Sequence, residues 1–198
     1  MINNVVVQIP CLNEESTIGD VVRGFKKKLP KAKVIVYDNN STDNSVKLAK
    51  KNGAEVFLVS KKGKGNVVRR MFEENINANF FIMIDADNTY DIANIKDILK
   101  RMQDENFDMM VAKRIHTDSS AYRTGHVFGN YFFSKFVNLI FGNDITDIFS
   151  GFRIFSKRFI KTFPQNSTEF EIEAELTIHA LEQKNRIGEF DCIYKARP

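Results

Sequence analysis

The chain has 198 residues, 43% hydrophobic and 27% charged, which suits one folded domain and excludes a disordered chain. The 29 Lys and Arg outnumber the 25 Asp and Glu; the +4 excess fits an anionic ligand or a membrane surface and is too small to indicate nucleic acid. Cys11 and Cys192 belong to no CxxC pair, no apolar run reaches the ~18 residues of a membrane span, and the amino terminus enters a strand rather than a secretory signal, so the expected setting is a reducing cytoplasm.

In chain order, Val5–Pro10 is a β-branched run ended by Pro and predicts a strand. Ser16 to Leu29 carries Ile18, Val21, Val22, Phe25 and Leu29 at 3–4 spacing and predicts a helix. Lys33–Asp38 predicts the second strand, a helix follows from near Asp43 to Asn52-Gly53, and Glu55–Ser60 predicts the third strand. A Gly-rich turn, KKGKGN, leads into a helix from Val67 to about Ile76. Phe80–Ile84 (FFIMI) predicts the fourth strand, Ile92–Met102 a helix, and Phe107–Arg114 the fifth strand. This alternation predicts an α/β fold with a mostly parallel central sheet and helices on both faces. Ligands then bind beyond the carboxyl ends of the strands, near the point where strand order reverses. Asp38, at the end of strand two, and Asp85 and Asp87, at the end of strand four, fall on that edge.

After Arg114 the character changes. Residues 116–126 are polar and loop-like, Val127–Phe141 is strongly aromatic, a helix is expected from Phe170 to about Lys184, and a last strand from Ile187 onward. One domain over 1–198 is expected, with residues 1–114 as a nucleotide-binding half and 115–198 as an acceptor half. Val127, Phe128, Tyr131, Phe132, Phe136, Leu139 and Ile140 would form a broad apolar face, with Asn130, Ser134 and Asn138 as a narrow polar stripe. That pattern fits an ordinary buried helix or an interfacial helix that presents a lipid chain.

Two carboxylates one residue apart at a strand end, Asp85 and Asp87, can share Mg²⁺ or Mn²⁺, hard ions that prefer oxygen and are often completed by substrate phosphates. Asp38 offers an acceptor for a base N–H or a ribose hydroxyl. Asn13-Glu14-Glu15 opens a helix, where acids suit the positive end of the dipole, and Glu14 could instead turn toward a nucleotide. KKGKGN is neither the dinucleotide fingerprint nor a P-loop, and it follows the third strand, which disfavours a dehydrogenase. Arg114 and Arg153 supply guanidiniums suited to phosphate.

The order Ile-Pro-x-x-Asn-Glu, Asp-Asn-x-Ser-x-Asp, Gly-Lys-Gly, Asp-Ala-Asp, Arg-x-x-His-x-x-Gly-Asn and Thr-Asp-x-x-Ser-Gly-Phe-Arg resembles family 2 glycosyltransferases of the GT-A fold. Within them it is most similar to the polyprenyl-phosphate glycosyltransferases, the group of dolichol-phosphate mannose synthase. FEIEAELTIHALE (Phe170–Glu182) and the closing YKARP resemble the bacterial undecaprenyl-phosphate branch. The resemblance spans essentially the whole chain. It implies that Pro10, Leu12 and Glu14 border the nucleobase, and that Asp38 hydrogen-bonds it. Asp85 and Asp87 would hold Mg²⁺ or Mn²⁺ on the diphosphate of a UDP- or GDP-hexose, with Ala86 beside them. Arg114 and Arg153 would face phosphates, Arg153 with a catalytic role, and Arg123 and His126 would lie in the acceptor loop. Leu12 stands where many relatives have Tyr, and Asn39 replaces the second Asp of a common Asp-Asp pair. Most of the bacterial branch continues into membrane helices that these 198 residues do not include.

The implied reaction transfers the sugar, with inversion, to a polyprenyl phosphate at the inner face of the cell membrane. A phosphate nucleophile has its second pKa near ~6 and needs no strong base. A relative that glycosylates a sugar hydroxyl would need a placed carboxylate, for which Asp144, Asp147 and Glu171 are candidates. A nucleotide-binding module without catalysis, or a nucleotidyltransferase, is the reading from another class.

Overall fold

The computed structural model describes residues 4–74, 77–116, 124–142, 144–164 and 172–197; for residues 116, 124–129 and 131 it describes the backbone alone. Strands β1 (Val5–Cys11), β2 (Lys33–Asp38), β3 (Glu55–Leu58) and β4 (Phe80–Met83) alternate with helices α1 (Ile18–Lys28), α2 (Ser45–Lys51) and α3 (Lys64–Glu73). Next come α4 (Ile95–Asp104), β5 (Met109–His116), α5 (Thr124–Phe141), β6 (Arg153–Ser156), α6 (Lys157–Thr162), α7 (Ile172–Glu182) and β7 (Ile187–Tyr194). They build one seven-stranded sheet in the order β3-β2-β1-β4-β6-β5-β7.

Every pairing is parallel except those of β6, which runs antiparallel between β4 and β5. The sheet is therefore mostly parallel, as expected. β6 and α6 were not anticipated from sequence. The fourth and fifth strands are consequently separated rather than adjacent, and β6 and β7, from the second half of the chain, complete the sheet begun by the first half.

Strand alternation sorts the core into two layers. Val5, Val7, Ile9 and Cys11 of β1 face Ile18, Val22 and Phe25 of α1 and Ile95, Leu99 and Met102 of α4. Val6 turns the other way, into a layer with Met71 and Phe72 of α3, Phe159 of α6, and Ile172 and Leu176 of α7. A fully buried side chain such as Phe25 contributes roughly 1.5–3 kcal/mol through burial. Gln8 is the polar exception on that second face. Its Nε2 donates to Tyr37 Oη (3.0 Å) and to the Met71 carbonyl (2.9 Å), which ties β1 to β2 and α3.

Helix starts shift from the sequence expectation where side chains form local turns first. Asp91 Oδ1 accepts from Ala93 N (2.9 Å), so residues 92–94 form a turn and α4 begins at Ile95 rather than Ile92. α3 begins earlier than expected, at Lys64, directly on the Gly-rich turn, where Gly63 sits at φ 113°.

Candidate active site

The chain leaves β1 for β2 and β3 on one side, then returns to β4 on the other, so the order reverses between β1 and β4. Loops after the carboxyl ends of β1, β2 and β4 meet there, as ligand sites of open α/β sheets do. Because β6 is antiparallel, its amino-terminal approach, Ser150-Gly151-Phe152, arrives at the same edge.

The β1 and β2 loops clasp each other through side chains. Ser41 Oγ accepts from Asn13 N (2.9 Å), Ser45 Oγ from Glu14 N (2.7 Å), and Asp43 Oδ2 from Glu15 N (3.0 Å). Asn13 Oδ1 returns the favour by accepting from Thr42 N (2.8 Å). Asn39 shows why an amide replaces the second aspartate. Its Nδ2 donates to the carbonyls of Val59 (2.9 Å) and Lys61 (2.8 Å) while its Oδ1 accepts from Gly63 N (2.9 Å), and a carboxylate could not donate. Asp38 lies inside this frame, 2% exposed. Its Oδ2 accepts from Ser41 N (3.1 Å), whereas Oδ1 is buried with no protein partner. A buried carboxylate oxygen without a donor is costly.

Pro10 is buried in β1, Leu12 projects at 51% exposure and Ala86 is buried. Glu14 is tied at one oxygen to Arg197 and at the other to Thr17 Oγ1 (3.1 Å). Burial pushes its carboxyl above the ordinary value; Arg197 and Thr17 oppose this, while the charges of Asp87 and Asp85 add to it. Glu14 thus shares the edge with both aspartates.

Asp85 and Asp87 stand at the end of β4, separated by buried Ala86. Asp87 Oδ1 accepts from Thr89 Oγ1 (2.7 Å) and Thr89 N (3.2 Å), which fixes its carboxylate. Asp85 packs on the Gly151 backbone, where a Cβ would fall 2.6 Å from the Asp85 Cγ and 2.8 Å from Oδ1. Tyr90 braces that glycine, its Oη accepting from Gly151 N (2.9 Å). The absence of a side chain at 151 is thus required for Asp85 to keep its position. Gly151→Ala is expected to displace the carboxylate and to lower any activity that depends on Asp85 by about tenfold to a hundredfold, the range for disturbing the support of a functional carboxylate. Initial rates, with circular dichroism to check the fold, measure this.

Lys64 and Glu173 were not singled out from sequence. Lys64 Nζ lies 2.6 Å from Asp85 Oδ1 and 2.6 Å from Glu173 Oε1, linking the strand-end carboxylate to α7. Burial alone would lower the lysine pKa; the charges of Asp85 and Glu173 outweigh it and push it up, so the ammonium is charged. The one sequence signal was the Gly-Lys-Gly motif that contains Lys64. Among the described residues, no cluster of three or more His, Cys, Asp or Glu forms a metal cage.

The arginines divide. Arg114 is forked onto Asp147, Nε to Oδ2 (2.7 Å) and Nη2 to Oδ1 (2.8 Å), with its ring-facing side over Tyr194. Asp147 also accepts from Arg114 N (3.2 Å) and Asn130 Nδ2 (3.0 Å) and is 4% exposed, so it is a clamp and not a free base. Arg153 corrects the sequence expectation. It is fully buried, and its guanidinium donates to the carbonyls of Ser150 (2.9 Å) and Ile148 and to Thr177 Oγ1 (2.8 Å). Its donors are therefore turned onto protein acceptors rather than toward the open edge; burial pushes its pKa down to about 10. Arg123 and Glu171 lie outside the described residues, as does the side chain of His126, whose backbone is in α5. Asp144 is exposed.

The profile of Glycosyl transferase family 2 matches residues 6–163, which contain Asp38, Lys64, Asp85 and Asp87 but not α7, β7 or Arg197. The chain belongs to glycosyltransferase family 2. This glycosyltransferase is 42% identical to the protein RfbJ of Shigella flexneri over 124 residues, covering 62% of the chain and 95% of RfbJ. It is 30% identical to glycosyltransferase AglJ of Haloferax volcanii, over 98% of the chain and 64% of AglJ. It is also 30% identical to the low-salt glycan biosynthesis hexosyltransferase Agl6 of that organism, over 96% of the chain and 48% of Agl6. The chain thus spans less than two thirds of the length of these two relatives. The fold is GT-A: glucosyl-3-phosphoglycerate synthase from Mycobacterium tuberculosis superposes with a TM-score of 0.80 at 18% identity, over 98% of this chain and 72% of the synthase. That synthase has also been solved with Mn²⁺, UDP and glucosyl-3-phosphoglycerate, again over 98% of this chain (73% of that one), at 18% identity and a TM-score of 0.79.

Proposed function

We propose that this glycosyltransferase moves a hexose from a UDP- or GDP-sugar to a polyprenyl phosphate of the undecaprenyl type, with inversion, while seated on the inner face of a membrane. The donor half of the reading is supported by Asp38, whose partnerless Oδ1 is suited to accept a ring N–H of uracil or guanine. Pro10, Leu12 and Glu14 would border that base. Asp85 and Asp87 fit a divalent ion by chemistry: two fixed carboxylates at an open edge, with other ligand positions left to water and diphosphate. Mg²⁺ or Mn²⁺, when bound, supplies Lewis acidity toward the leaving diphosphate. Arg114, aligned by Asp147, is the described guanidinium proposed for phosphate, with Arg123 and His126 proposed for the acceptor phosphate.

The observation that carries the lipid acceptor is α5, which packs Val137, Phe133 and Phe141 inward yet leaves a second apolar face exposed. Its polar stripe points inward: Asn130 Nδ2 donates to Asp147, Ser134 Oγ to the Thr146 carbonyl (3.4 Å) and Asn138 Nδ2 to the Ile145 carbonyl (2.8 Å). Its outer face carries Phe132, Phe136, Leu139 and Ile140, 54–84% exposed, beside exposed Lys135. Such a face suits the headgroup boundary of a bilayer. No helix among the described residues is long and apolar enough to cross a membrane. The paired substitution Leu139→Glu and Ile140→Glu is expected to weaken binding to phosphatidylglycerol vesicles by about tenfold or more, read by co-sedimentation.

Parallel incubations with radiolabelled UDP- and GDP-hexoses, Mn²⁺ and, as acceptor, undecaprenyl phosphate, 3-phosphoglycerate or an oligosaccharide test the reaction. Label entering the lipid phase supports it. Label entering only 3-phosphoglycerate or an oligosaccharide, with none in lipid across the donors, rules out the lipid acceptor.

A further inference from the structure

A largely buried lysine at the strand-end edge is placed where it competes with a metal. Lys64 enters from the first turn of α3, its side chain 15% exposed, and spans two carboxylates at 2.6 Å each. One of them, Asp85, is a proposed metal ligand; the other, Glu173 on α7, is 5% exposed. Gly151, held by Tyr90, packs against one side of the Asp85 carboxylate and limits its movement on that side. A divalent ion on Asp85 would therefore meet an ammonium already bonded to the same group, in a partly enclosed site where like charges repel strongly.

We propose that Lys64 keeps Asp85 occupied in the ligand-free enzyme, so that the divalent ion is accepted together with the nucleoside diphosphate and not before it. The inference rests on the assignment of Asp85 and Asp87 to the metal. Glu173 gives the mechanism its pivot. When a diphosphate arrives, its negative charge offers the ammonium a new partner, and Glu173 keeps the lysine within reach while Asp85 Oδ1 is released. The diphosphate also supplies oxygen ligands beyond the two carboxylates, which alone make a poor cage for Mg²⁺ or Mn²⁺. Metal and nucleotide would thus strengthen each other's binding reciprocally, as linkage requires. Lys64 is a positioning residue in this scheme: it sets the state of Asp85.

Mn²⁺ titrations followed by the electron paramagnetic resonance signal of the free ion test this without turnover. Each titration is run alone, with UDP and with GDP, on the wild-type chain and on Lys64→Met and Lys64→Gln. The wild type is expected to bind Mn²⁺ weakly alone and about tenfold or more tighter with one of the two nucleotides. Either Lys64 variant that retains its fold by circular dichroism should bind Mn²⁺ alone about tenfold tighter than the wild type, with a smaller gain on adding nucleotide. Wild-type affinity that is equal with and without nucleotide overturns the proposal even if neither variant folds. Unchanged or weaker Mn²⁺ binding by the folded variants alone, with the nucleotide gain intact, overturns it while leaving the metal assignment standing. No Mn²⁺ binding in any arm overturns both.

Discussion

Asp87→Ala is expected to abolish most sugar transfer while leaving the fold intact. The side chain is partly exposed, and its described bonds are local, both from Thr89. Its removal leaves the β4 pairing to β1 and β6 undisturbed, because those registers end at Met83. Stability should therefore change modestly, by the ~0.5 kcal/mol of a surface substitution plus the loss of the two local bonds from Thr89. Transfer should fall by roughly 10²–10³, the scale on which one preorganised electrostatic group aimed at developing charge contributes. Asp87→Asn should be nearly as damaging, since an amide keeps the size and one acceptor but lacks the charge that a hard divalent ion requires. Initial rates with saturating donor, set beside melting curves of the same preparations, separate a lost metal ligand from a lost fold. A variant that melts normally and retains near wild-type rates would remove Asp87 from the chemistry.

Arg153→Ala should behave in the opposite way, losing stability first. The guanidinium is fully buried and knits the Ile148–Ser150 loop to α7 through Thr177. Truncation leaves two carbonyls and a hydroxyl without their donor and opens a large cavity between β6 and α7. Together these should cost about 3–5 kcal/mol. For a domain of this size that corresponds to a fall in Tm of about 10 °C. Activity would drop with it, because the same loop delivers Gly151 to Asp85. If Arg153 contacted a phosphate instead, its loss would raise KM or lower kcat with Tm held, and differential scanning calorimetry beside kinetics distinguishes the two patterns.

That contrast marks the limit of what sequence could reveal. The strand–helix alternation from Val5 to Arg114 was readable because each strand is apolar and each helix repeats at 3–4 spacing. Asp38, Asp85 and Asp87 followed from their place at strand ends. β6 escaped because it is four residues long and is entered through Ser150, Gly151 and a buried arginine, none of which marks a strand. Arg153 was expected at a phosphate because arginines near an anionic ligand usually are; only the packing of β6 against β4 and β5 turns it inward. Lys64 and Glu173 are joined by tertiary contact between α3 and α7, and no local pattern encodes that meeting. The stripe of α5 was visible as spacing, but its inward direction depended on the 144–148 segment that receives it.

This edge is proposed to bind a nucleoside diphosphate sugar through a divalent ion. Melting of the wild-type chain with each of a panel of UDP- and GDP-hexoses, with and without Mn²⁺, beside Asp87→Ala decides this. A rise in Tm is expected with at least one donor, dependent on Mn²⁺ and lost in Asp87→Ala, as ligand linkage requires. No rise with any donor in the presence of Mn²⁺, or a rise that survives unchanged in Asp87→Ala, would contradict it.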